Sequence, residues 1–84
     1  MTTQQQESRV QHMEYIVRTS VKSSVINAYF YNPYNRDLCM VMHSGEKYVY
    51  RAVSVEKVFG LMQAKSPGTY FTKNIRTQHN FDKA

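Results

Sequence analysis

Residues 46–65, EKYVYRAVSVEKVFGLMQAK, change their hydrophobic period half-way. KYVYRAV is rich in β-branched and aromatic residues and alternates in character, as a half-buried strand does. From Ser54 onward the apolar positions are Val55, Val58, Phe59, Leu61 and Met62, which form one stripe on a helix. Ser54 can cap that helix, because a serine hydroxyl accepts a bond from a free first-turn amide. Glu56 and Lys65 suit its positive and negative ends. Gly60 weakens the helix, and SPG at 66–68 stops it. A strand feeding an amphipathic helix makes the chain α+β.

Upstream, SSVINAYFYN (23–32) and DLCMVMH (37–43) read as two further strands. They are joined by the turn NPYNR (32–36), and SGE (44–46) leads into the third. Three strands with short connections give an antiparallel meander. Residues 9–20, RVQHMEYIVRTS, are open between two readings. Val10, Met13 and Ile16 make a loose helical face, whereas EYIV fits a strand, which would add a fourth over 13–19. Downstream, TYFTKNIR (69–76) reads as a second short helix packed at the sheet edge through Phe71 and Ile75, at i and i+4. The last segment, TQHNFDKA, reads as a tail anchored by Phe81. The expectation is a three- to four-stranded antiparallel meander, covered on one face by one main helix, plus a short C-terminal helix. Residues 1–12 are a polar, Gln-rich tail, and residues 13–84 form one domain.

Chain length allows one domain with a thin core. The lone Cys39 rules out an intrachain disulfide and suits a cytoplasmic setting. No apolar run is long enough to span a bilayer, and MTTQQQESR lacks a signal-peptide core, so no membrane partner is expected. The net charge is +5. Residues 46–84 carry seven Lys/Arg against three Asp/Glu, whereas residues 1–45 carry four against three. A basic excess of this kind attracts polyanions.

Strand alternation sorts the side chains by face. Leu38, Met40 and Met42 are the best partners for a covering helix. On the third strand Tyr48 and Tyr50 join them as core, because Lys47 and Arg51 resist burial. The opposite face then holds Phe30, Cys39, Val41, His43, Lys47, Val49 and Arg51. An apolar patch of this kind marks a contact surface: a homodimer interface, a protein partner's footprint, or the place where the N-terminal segment folds back.

These stretches resemble the KTSC domain, named for the C-terminal region of some lysyl-tRNA synthetases and found also as a stand-alone small protein. The residues that carry the resemblance are VKSSVI (21–26), YNP (31–33), HSGEKYVYRAV (43–53) with its Tyr-x-Tyr, VEKVFGLMQA (55–64) and SPGTYFTKNIR (66–76). The resemblance implies a small α+β domain for which RNA binding has been suggested. It matches Tyr48 and Tyr50 to the motif tyrosines and Ser66 to Arg76 to the late segment. This chain departs from the family where members alternate charged residues on the second strand. Cys39 and Val41 stand there instead, which favours a protein contact on that face.

Two basic constellations carry the functional reading. The first is Lys65, Gly68, Thr69, Lys73 and Arg76. A helix start offers free amides to an anion, Thr69 can cap it, and Thr69, Lys73 and Arg76 share one helical face. The second is Lys47 with Arg51, flanked by Phe30 and His43, as in a single-strand groove. Tyr34 or Tyr70 would stack on a base. No set of residues completes a catalytic or metal site, so the chain reads as a non-enzyme with no cofactor. The expected function is recognition of RNA or a nucleotide phosphate through a basic face. The alternative is a protein-interaction module or inhibitor, including one of viral origin acting on host machinery, using Phe30, Cys39, Val41, His43 and Val49.

Overall fold

The computed structural model describes residues 14–84; the polar tail expected over residues 1–12 lies outside the described residues. Five strands follow in chain order across one sheet, all pairs antiparallel. They are β1 (Ile16–Arg18), β2 (Ile26–Asn32), β3 (Asp37–Met42), β4 (Lys47–Tyr50) and β5 (Phe81–Lys83). Helix α1 (Val55–Gln63) follows β4. Helix α2 (Pro67–Phe71) comes next and continues as a π-helical turn, Thr72–Arg76.

The α+β class holds, and the sheet has more strands than expected. The segment over 13–19 supplies β1, which pairs Ile16–Arg18 with Tyr31–Tyr29. The end read as a tail supplies β5, with Phe81, Asp82 and Lys83 opposite Tyr50, Val49 and Tyr48. Its three residues are all exposed, so no burial pattern announces a strand. Long-range pairing with the free edge of β4 makes it one.

A bulge in β2 sets the core. Ile26 faces Met42 while Ala28 faces Val41, so two steps on β2 match one on β3. Asn27 escapes to solvent, and Ile26, Tyr29 and Tyr31 all turn inward. They meet Leu38, Met40 and Tyr50 from the sheet, and Val58 and Leu61 from α1. Ser54 caps α1 as expected, its hydroxyl accepting from the Lys57 amide. The second helical segment packs through Phe71 and Ile75, as expected. Phe71 and Ile75 are fully enclosed, and Phe71 meets Tyr50 edge-on at 5.3 Å. A thin core needs both helical segments over it, because α1 alone brings only Val58 and Leu61 to full burial.

Two left-handed residues shape the connections. Arg36 (φ 64°) ends the β2–β3 turn, and Ala52 (φ 57°) turns the chain from β4 toward α1. Val53 bridges them: its amide donates to the Arg36 carbonyl at 3.0 Å. Its own carbonyl accepts from the buried Tyr31 hydroxyl at 2.5 Å. Among the described residues no helix is long and apolar enough to cross a membrane.

Candidate phosphate-binding surface

Two segments far apart in sequence meet beside the start of α2. The loop 22–25 precedes β2, and the segment 65–73 runs from the end of α1 into the π-turn. Together they line an open depression of about 550 Å³. Lys22, Lys65 and Lys73 line it, together with Ser23, Ser24, Ser66, Thr69 and Thr72. Among the described residues no carboxylate does so. Among the described residues, none of the three lysines has an ion-pair partner. Lysine ammonium groups and hydroxyls are the donors a phosphate oxygen requires.

The loop is held by its own bonds. Ser23 Oγ accepts from the amides of Val25 and Ile26, each at 3.1 Å. The Ser23 carbonyl lies 2.9 Å from His43 Nε2. The two segments approach closely at Gly68, where a Cβ would be in ordinary contact with Ser23 Oγ at 3.4 Å. Lys65, Gly68, Thr69 and Lys73, expected together from sequence, do lie together. Thr69, however, is not the cap. Ser66 holds the N-cap position, Pro67 opens the helix, and the Ser66 hydroxyl donates to Thr69 Oγ1 at 2.9 Å. Proline's fixed φ suits the first helical position, which moves the helix start two residues earlier than expected. A five-residue helix has little dipole, so the lysines carry the charge here.

Arg76 does not share this depression with Lys73. The π-turn carries it round to a neighbouring groove of about 800 Å³. That groove is walled by Tyr48, Tyr50, Phe71 and Phe81, with Met42 and Val25 beside them. It adjoins the lysine depression, since Ser24, Val25 and Thr72 line both. His43 also belongs to its rim, not to the opposite sheet face as strand alternation implied. β3 ends at Met42, so the turn at His43 breaks the alternation. Tyr50 is core, whereas Tyr48 is half-buried. Its hydroxyl donates to Glu46 Oε1 at 2.8 Å, and this bond to the carboxylate is the main reason its pKa lies above the ordinary value. The same bond, with Lys83 beside it, holds the Glu46 carboxyl below its ordinary value.

The expected Lys47–Arg51 pair is not a free basic patch. The Arg51 guanidinium contacts Asp37 Oδ2 at 2.6 Å and Asp82 Oδ2 at 2.7 Å. Asp82 arrives with β5, the segment whose sequence reads as a tail. Tyr70 is also unavailable as a free stacking ring. It packs against the core, and its hydroxyl end fills the space a Cβ at Gly60 would need. Tyr34 is exposed, with its ring 5.8 Å from Tyr15. On the outer sheet face Phe30, Cys39 and Val49 lie in one cross-strand row, with Val17 opposite Phe30. Tyr15 covers part of Phe30, at 5.3 Å between rings.

Comparison with known proteins places this architecture. The family model of the KTSC domain matches residues 22–79. The chain belongs to the KTSC domain family. A crystal structure of a KTSC domain protein from Yersinia pestis superposes with a TM-score of 0.77 at 27% identity, covering 84% of this chain and 99% of that one. No curated protein matches the chain. The KTSC match begins at Lys22, so it takes in the loop that completes the depression. Lys22, Ser23, Ser24 and Thr72 were missed as site residues. The stretch VKSSVI carried the family resemblance, yet nothing local ties its lysine and serines to a helix more than 40 residues away.

Proposed function

We propose that this KTSC domain is a non-enzymatic binding protein of the cytoplasm that recognises phosphate, in RNA or in a nucleotide. The observation carrying the reading is the convergence of Lys22, Lys65 and Lys73 on one depression lined by serines and threonines and, among the described residues, by no carboxylate. Such a surface favours a polyanion, and the chain's excess positive charge steers one toward it. The test is titration of the full chain with a short mixed-sequence single-stranded RNA at two salt concentrations, following amide shifts. Each phosphate contact contributes a slope of about −0.7 in log K against log salt. Three lysine contacts therefore predict about −2, with shifts at 22–25 and 65–73. Replacing all three lysines by glutamine removes most of that slope. An absence of shifts at low salt would defeat the reading.

A second reading rests on the outer sheet face, where Tyr15, Val17 and Phe30 are exposed beside the half-buried Cys39, Val41 and Val49. A protein partner or a second copy bound there would associate almost independently of salt. Val41→Lys would break that association and leave RNA binding unchanged.

A further inference from the structure

Tyr50 is only 3% exposed, yet its hydroxyl has no hydrogen-bond partner among the described residues. Among the described residues no fully enclosed side-chain oxygen or nitrogen lacks a partner, so this hydroxyl reaches the surface, and the surface its residue lines is the aromatic groove. Tyr31, another inward tyrosine, spends its hydroxyl inside the core. An enclosed ring with an uncommitted hydroxyl is a polar group left for a ligand. Around it the groove offers an apolar wall. Phe81 is half exposed and stands 5.4 Å from both Tyr48 and Tyr50. Arg76 lies on the same wall with no ion-pair partner among the described residues, near enough for its charge to act on both tyrosine hydroxyls. Glu46, the groove's acid, is already committed to Tyr48 and Lys83.

We infer that the aromatic groove and the lysine depression are two halves of one site for a nucleoside phosphate. The base lies against Phe81 and bonds the Tyr50 hydroxyl. The sugar crosses the shared wall of Ser24, Val25 and Thr72. The phosphates lie on Lys22, Lys65 and Lys73, with Arg76 between the halves. An apolar slot with one convergent polar group, joined to a cation cluster, matches the two unlike ends of a nucleotide and exceeds what a bare phosphate needs. This inference rests on the phosphate-directed reading above and narrows it to a ligand with a base.

The full chain is titrated with ATP, UTP, inorganic triphosphate and the short RNA, followed by amide shifts. ATP or UTP is expected to bind at least about tenfold tighter than triphosphate, the size of a base–aromatic contact. Tyr50→Phe should weaken the nucleotide roughly three- to tenfold, the loss of one hydrogen bond. Phe81→Leu, which keeps the apolar volume on β5, should weaken it similarly. Neither change should alter triphosphate binding. If nucleotides and triphosphate bind equally and Tyr50→Phe changes nothing, the composite site is refuted while the phosphate-directed reading stands. Binding of RNA alone, with no nucleotide binding, also refutes it. If nothing binds, both readings fail together.

Discussion

Replacing Tyr31 by phenylalanine isolates one buried hydrogen bond. The Tyr31 ring is 1% exposed and Val53 is fully buried. The hydroxyl of one donates to the carbonyl of the other at 2.5 Å. Phenylalanine keeps the ring and its packing but leaves the Val53 carbonyl without its donor. The net bond is worth about 1 kcal/mol, and an orphaned buried carbonyl costs about 1–3 kcal/mol. We expect a loss of about 2 kcal/mol. A chain of this size has roughly 4–13 kcal/mol of stability in all, so the change is large. It should lower the melting temperature by about 8–16 °C. Urea denaturation measures it directly: the midpoint should fall with the slope unchanged. Tyr50→Phe is the matched control. That hydroxyl has no partner among the described residues, so its removal should stay within about 0.5 kcal/mol. A loss at Tyr31 below about 0.5 kcal/mol would mean that water reaches Val53, and the ordering of the two tyrosines would be wrong.

Ala52 holds a left-handed backbone at φ 57°, so Ala52→Gly should relieve strain and stabilise the fold by about 1 kcal/mol by denaturation, an unchanged midpoint refuting it. His79 is pushed below its ordinary pKa of 6.5 by burial first and by Lys57 second, against a bond to the Arg51 carbonyl. Nδ1 donates to that carbonyl, and Nε2 accepts from the Lys57 ammonium. The unfolded chain therefore takes the proton first as pH falls. The stability tied to the neutral ring is complete above pH 6.5 and is lost as pH drops below it toward the folded-state pKa. His79→Gln should flatten that part of a stability–pH curve. Arg51→Gln removes the tie from the residue just after β4 to Asp82 on β5. Amides of β5 should then exchange faster with solvent while those of β2 and β3 hold; equal protection in both proteins would show that the tie is not needed.

The period change at Ser54, the alternation of β3 and the cap on α1 are local features. Each depends on residues two to four apart, so the strand-then-helix order and the burial of Leu38, Met40 and Tyr50 are legible in the chain itself. So is the pairing of Phe71 with Ile75 on one helical face. Distant partners are another matter. The fifth strand exists because β4 has an open edge, and the exposed Phe81–Lys83 carries no burial pattern that says so. The same pairing delivers Asp82 to Arg51 and removes that arginine from the basic surface. A one-residue bulge turns Asn27 out and Ile26 in, and a π-turn separates Arg76 from Lys73. The meeting of Lys22 with Lys65 and Lys73 is likewise tertiary. Sequence alone determined that β2, β3 and β4 are strands and α1 a helix, and which faces of β3 and α1 are buried, because those choices follow short-range periodicity. Only the tertiary structure decided which charges stay unpaired and which hydroxyls are left for a ligand, because that depends on neighbours tens of residues away.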